Sequence, residues 1–78
     1  MDEILELKRD VLDVFVEFKV GANQYLPILS LKSRTDEWIP PKLLQKTITE
    51  LIDEGYIEIL DNPLGYRLTE AGAKEAYG

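Results

Sequence analysis

The 78-residue chain contains no cysteine and no histidine. The absence of cysteine excludes disulfides and thiolate chemistry. The absence of histidine removes the side chain that most often serves as a general base or a metal ligand. Catalysis would then need a carboxylate pair, a lysine or a serine. Ser30 and Ser33 have no base nearby in sequence, and Glu50, Asp53 and Glu54 would not converge on one helix face. We therefore expect no enzyme, no cofactor and no metal site.

Long apolar stretches are also missing from the chain. None approaches the roughly 20 residues that a membrane span needs. The first ten residues, MDEILELKRD, are acidic and lack the basic start that is typical of a secretory signal. We expect one domain spanning residues 1–78, located in the cytoplasm without membrane contact.

Positive charge is scarce, because nine basic residues face fifteen acidic ones and the formal net charge is −6. Taken alone, this balance argues against nucleic acid as a partner. The distribution is uneven. Residues 31–49 contain four basic and two acidic residues, and the remainder contains five basic and thirteen acidic residues. The chain therefore has one small positive region within an acidic whole.

The first twenty residues have the spacing of an amphipathic helix, which we expect from Asp2 to Val20 with Gly21 as its stop. Lys19 would lie in the last turn, where the helix dipole favours positive charge. The main apolar stripe comprises Ile4, Leu7, Val11, Val14, Phe15 and Phe18. A second apolar line comprises Leu5, Leu12 and Val16. This second line either packs under the C-terminal segment or forms the interface of a homodimer.

The middle of the chain predicts short elements. Tyr25-Leu26 has the character of a brief strand, and a short helix is expected from Ile28 to Lys32 or Arg34. Residues 35–37 favour a turn or a helix cap. Trp38 is the only tryptophan and is expected in a buried corner, with stacking on a base or ligand as the alternative.

The stretch from Ile39 to Leu60 predicts a helix followed by a strand. Pro40 and Pro41 suit a helix start, and Gly55 suits a helix end that needs a left-handed residue. Apolar residues recur at helical spacing on one side: Leu44, Ile48, Leu51 and Ile52. The opposite side contains Lys42, Gln45, Lys46, Thr49 and Asp53, which fall within about a third of the circumference. This polar side suits a DNA groove or, equally, ordinary contact with solvent.

A β-hairpin should follow, with one strand over Gly55–Leu60, turn residues up to Gly65 and a return over Tyr66–Leu68. Strand alternation places Ile57, Ile59, Tyr66 and Leu68 inward. It also places Glu58 and Arg67 outward, where they can pair across the hairpin. Thr69 is suited to cap a final helix over Glu70–Tyr77.

The order of elements, with LIDEGYIEIL at 51–60 and GYRLTEAG at 65–72, resembles the winged helix-turn-helix DNA-binding domains of small bacterial, archaeal or viral regulators. The resemblance is closest over residues 39–75. It implies an α+β winged-helix fold: a three-helix core, a C-terminal hairpin wing and a short C-terminal helix. It also implies a transcriptional regulator that binds double-stranded DNA.

In that family the third helix enters the major groove and the wing touches the DNA backbone. The third helix would present Lys42, Gln45, Lys46 and Thr49. Lys32 and Arg34 would hold phosphates, and Arg67 with Asn62 would contact DNA from the wing. These eight residues are the predicted DNA-binding site.

The chain departs from the family pattern in its acidic wing, with Glu58 and Asp61, and in the acidic end of its third helix, with Asp53 and Glu54. Fewer phosphate contacts mean lower affinity at physiological salt. A homodimer through Leu5, Leu12 and Val16 would double the contacts. The net charge, the acidic wing and the surplus apolar line also fit a second function, a protein-interaction module in a larger assembly that does not bind DNA.

Overall fold

The computed structural model describes residues 3–35, 39–61 and 64–78, and these form an α+β fold with a three-stranded antiparallel sheet. The elements in chain order are α1 (Glu3–Glu17), β1 (Tyr25–Pro27), α2 (Ile28–Thr35), α3 (Pro41–Asp53), β2 (Ile57–Asp61), β3 (Leu64–Leu68) and α4 (Glu70–Tyr77). The predicted α+β class is confirmed. The predictions for Trp38 and Asn62 concern residues outside the described ranges.

Helix α1 buries most of its predicted stripe, including Val11 and Phe15, but it ends earlier than predicted. Lys19 adopts a left-handed backbone with φ 59°. Its N–H bonds the Val16 carbonyl at 2.9 Å, and the Val20 N–H bonds the Phe15 carbonyl at 2.8 Å. This pair of bonds closes a Schellman motif. The prediction of Gly21 as the stop is wrong, because ending at Lys19 allows Val20 to join the core.

Helix α3 begins after Pro40, as predicted, and it also ends in a Schellman motif. Gly55 has φ 81°, and its N–H bonds the Ile52 carbonyl at 3.0 Å. The Tyr56 N–H bonds the Leu51 carbonyl at 3.0 Å. The predicted role of Gly55 is therefore confirmed. The buried side of α3 includes Leu51, which is fully enclosed by the core.

The sheet has the strand order β1-β3-β2, so the predicted hairpin is joined by the brief strand at Tyr25. Tyr25 and Glu58 both lie opposite Arg67, one on each side of β3. Ile57, Tyr66 and Leu68 are buried as predicted.

Ile59 does not reach the core, and its predicted burial is wrong: its side chain is 52% exposed, whereas that of Ile57 is 1% exposed. Ile59 pairs with Tyr66, so it lies on the same face of the sheet as Ile57. It is, however, nearer to the hairpin tip, where Leu64 on that face is also 46% exposed. The helices therefore cover only the base of the hairpin.

Helix α4 is capped by Thr69, as predicted, and is held close to the start of β2. The Thr69 hydroxyl oxygen accepts a hydrogen bond from the Gly72 N–H at 3.0 Å and donates to the Gly55 carbonyl at 2.6 Å. A Cβ at Gly72 would lie 1.9 Å from the Tyr56 carbonyl oxygen. Only glycine permits this approach of helix to strand.

Helix α4 packs against α1, and this contact bears on the second apolar line of α1. Leu12 is buried in the core of its own subunit, with Ala76 of α4 packed against the same cluster. Val16 is half-buried, and Leu5 is 63% exposed. The homodimer through these residues stays a prediction, with Leu5 as its exposed member. In the described ranges no helix is long and apolar enough to cross a membrane.

Candidate nucleic-acid interface

The polar side of α3 is fully open to solvent. Lys42, Gln45, Lys46 and Thr49 are all exposed, and together with Glu50 they line one shallow depression. Their spacing of three and four residues places them on one face of the helix. The structure thus brings together four of the eight predicted site residues. Lys32 and Arg34 lie on α2 and Arg67 on β3, outside this depression.

The side chains of this α3 face differ in what they offer a ligand. Within the described part of the chain, no ion pair involves Lys42 or Lys46. The Thr49 hydroxyl donates to the Gln45 carbonyl at 2.9 Å, so its proton is used inside the helix. Thr49 therefore offers a ligand an acceptor oxygen and a methyl group, whereas the two ammonium groups remain available as donors.

Lys8 of α1 is a charged residue near α3 that sequence reasoning missed. Its ammonium lies 3.1 Å from a Glu50 carboxylate oxygen and 3.0 Å from a Glu54 carboxylate oxygen. Lys8 donates these hydrogen bonds, and they raise its pKa above the usual value, the bond to Glu54 having the larger effect and the bond to Glu50 the smaller. One indication in the sequence that Lys8 lies near other elements was its helical position, on the same side of α1 as Leu5 and Leu12.

Lys8 changes the electrostatics of the acidic α3 end, because one cation is shared between two carboxylates. It also affects Lys46, which is placed four residues before Glu50 and would otherwise be its natural partner. Glu50 bonds Lys8, and Lys46 makes no ion pair with any residue that the structure describes.

Arg34 is engaged within the protein. Its Nη2 lies 2.9 Å from a Glu17 carboxylate oxygen, and its guanidinium stands 5.5 Å from the centre of the Phe18 ring. Glu17 is the last residue of α1 and Phe18 follows it, so this contact links α2 to the end of α1. Lys32, two residues earlier, is exposed and makes no ion pair with any described residue.

Arg67 is also engaged, as the hairpin pattern predicted. Its Nε donates to the Glu58 Oε1 at 2.8 Å, and its Nη2 bonds the same oxygen. The two residues lie directly opposite each other on β2 and β3. The cation predicted as the wing contact is therefore neutralised by its neighbour before any ligand arrives.

Acidic residues are numerous but dispersed. In the described ranges no group of three or more acidic, histidine or cysteine side chains could hold a metal ion. No protein-family model, no curated protein and no solved structure matches the chain.

Proposed function

We propose that the chain is a winged helix-turn-helix domain that binds double-stranded DNA and acts as a transcriptional regulator. Helix α3 would enter the major groove, and the hairpin of β2 and β3 would serve as the wing. The element order and the β1-β3-β2 sheet support this assignment. The observation on which it rests is the uncovered polar face of α3, with Lys42, Gln45 and Lys46 all exposed.

The chemistry of that face suits a base-reading helix. The side-chain amide of Gln45 offers a donor and an acceptor, the pair that reads the adenine edge in the major groove. Lys42 and Lys46 would bind phosphate oxygens or the acceptors of guanine. Thr49 would offer its methyl group to thymine.

The two predicted arginine contacts would each have to break an existing ion pair before binding DNA. Arg34 and Arg67 are bonded to Glu17 and Glu58, so each has to exchange a carboxylate for a phosphate. Exposed ion pairs contribute at most about 1 kcal/mol, so this exchange is feasible but adds little net affinity. The lysines of α3 and Lys32 would then supply most of the electrostatic attraction.

The test is a titration of duplex DNA at low and at moderate salt. We expect binding at low salt that weakens as salt increases, because each phosphate contact releases a counterion and adds about 0.9 to the logarithmic slope. A slope near 3 would match the three lysines. Failure to bind at low salt, or binding indifferent to salt, would refute the proposal.

A second candidate function is a protein-interaction module within a larger assembly, favoured by the surface of α1. Its acidic residues recur at spacings of three and four and fall within about a quarter of the helix circumference. They are Glu3, Glu6, Asp10, Asp13 and Glu17. Such a stripe suits a basic protein partner and repels DNA. Recovery of one stoichiometric protein partner, together with no DNA binding, would favour this function.

A further inference from the structure

The two edges of the sheet are protected very differently. The β1 edge is three residues long and includes Pro27, which has no N–H to offer. The β2 edge is five residues long, IEILD, with no proline and no lysine. Glu58 and Asp61 are its charged residues, and an edge strand whose N–H and C=O groups lack partners can pair with another strand.

The hydrogen bonds at the base of the hairpin identify which β2 groups point outward. The Thr69 N–H bonds the Tyr56 carbonyl at 3.0 Å. The Leu68 N–H instead bonds the backbone carbonyl of Gln24, which lies next to β1. Bonded pairs alternate along an antiparallel ladder. Because Tyr56 and Thr69 form a bonded pair, the next bonded pairs are Glu58 with Arg67 and Leu60 with Gly65, so the backbone N–H and C=O groups of Glu58 and Leu60 point towards β3.

It follows that Ile57, Ile59 and Asp61 direct their N–H and C=O groups away from the sheet. Among the described residues, no backbone hydrogen bond from another element reaches these groups. The exposed Ile59 side chain stands at the centre of this edge.

We propose that β2 is a self-association edge, which pairs antiparallel with β2 of a second copy and forms a continuous six-stranded sheet. The two-fold axis passes at Ile59, so that Ile59 lies opposite Ile59 of the second copy. Ile57 then lies opposite Asp61 of the second copy. In this register every outward backbone group of the described strand has a partner.

Charge disfavours two of the alternative registers. Centring the pairing on Glu58 or on Asp61 would place two like carboxylates directly opposite each other, which is destabilising. Centring it on Ile59 places Glu58 opposite Leu60 of the second copy. The two Glu58 carboxylates are then only diagonal neighbours, and each is already bonded to its own Arg67. A second β2 strand therefore fits this edge without placing like charges directly opposite each other.

The proposal is independent of DNA binding and is tested on the protein alone. We expect the solution mass to rise from monomer to dimer with concentration in analytical ultracentrifugation. Amide hydrogen exchange supplies the specific signature. The amides of Ile59 and Asp61 should become protected as the concentration rises, whereas those of Glu58 and Leu60 should be protected at every concentration.

The decisive variant is Ile59→Pro, which removes an outward N–H and leaves the bonds to β3 intact. We expect its dimer dissociation constant to rise at least tenfold. Ile59→Ala keeps the N–H and should raise the constant by a smaller factor, and Leu64→Ala, an exposed apolar residue off the edge, should change it by less than about twofold. Ile59→Lys, which keeps the backbone unchanged, repeats the test if the proline variant fails to fold.

Three results would overturn the proposal. One is a monomer at all concentrations up to about 1 mM. The second is a dimer that Ile59→Pro and Ile59→Lys leave intact, which would point to another surface such as Leu5 on α1. The third is a monomer whose Ile59 amide is protected only by an added extended peptide, which would make the edge a peptide site.

Discussion

Helix α3 and the β2–β3 hairpin are the two parts proposed to meet DNA, and they use charge in opposite ways. Lys42 and Lys46 on α3 make no ion pair with any described residue, whereas Arg67 on the hairpin is bonded to Glu58. The lysine charges of α3 are therefore available to a ligand, whereas the Arg67 charge on the hairpin is already paired. Counting basic residues therefore overstates the charge that this surface can offer.

The difference has a local geometric origin. Cross-strand neighbours in a hairpin are held in register, so Glu58 and Arg67 meet without any further arrangement. On α3 the carboxylate nearest to Lys46 along the helix is Glu50, and Lys8 from α1 bonds it instead. A contact between helices thus keeps the α3 lysine available, and a contact within the hairpin occupies the arginine.

The largest effect is expected from removing both lysines of α3. The double variant Lys42→Ala, Lys46→Ala should weaken DNA binding about 100-fold near 0.1 M salt and lower the salt slope by about 2, since each lysine releases about 0.9 counterion. The control is Lys74→Ala on α4, which should have little effect. An unchanged slope would mean that α3 does not face phosphate.

The substitution Gly55→Ala tests the connection between α3 and β2. Space is not limiting, because a Cβ there meets nothing within 4 Å, but φ is 81°. A non-glycine residue in this conformation costs about 1–2 kcal/mol, so the urea midpoint should fall with an unchanged m value. The matched variant is Lys19→Gly, which relieves the same strain at φ 59° and should raise stability by up to about 1 kcal/mol. Equal stability of Gly55→Ala and the parent would contradict the Schellman geometry.

Lys8 offers a sharper test, because it lies outside the proposed interface. In Lys8→Ala the Glu50 carboxylate is released and can pair with Lys46, four residues before it. DNA affinity should fall roughly threefold to tenfold, about the contribution of one phosphate contact. Lys74→Ala again removes one charge and serves as the control. The explanation fails if adding Glu50→Gln to Lys8→Ala does not restore affinity.

The smallest effect is expected at the hairpin. Glu58→Gln releases Arg67 and should raise DNA affinity by about threefold, because an exposed pair is worth only about 1 kcal/mol or less. Asp61→Asn removes one negative charge from the same hairpin without releasing an arginine, and its gain should be smaller. Equal gains in the two variants would show that Arg67 does not reach DNA.

Local patterns predicted much of the fold. Helical spacing indicated α1 and α3, the cap residue Thr69 indicated α4, and turn residues indicated the hairpin. The roles of Gly55 and Thr69 followed from helix-end chemistry. Such signals are readable because they depend on residues within four or five positions of each other. The pairing of Glu58 with Arg67 was equally predictable, since the turn sets the register.

The errors arose where distant parts of the chain decide the outcome. Ile59 alternates correctly with Ile57, but the helices do not extend far enough along the hairpin to cover it. Gly21 looks like a helix stop, yet the burial of Val20 moves the left-handed residue to Lys19. Of the site, the polar face of α3 was readable from spacing, whereas the partners of Lys8 and Arg34 were not.

The order of helices and strands, the caps at Gly55 and Thr69 and the polar side of α3 could all be read from the amino-acid sequence, because each depends on short-range backbone preference and hydrophobic periodicity. Which cations remain available depends instead on how the helices and strands pack. Lys8 is 46 residues from Glu54, and their contact requires that α1 pack against α3. The physical reason is that an ion pair depends on distance in space, which periodicity along one element does not specify.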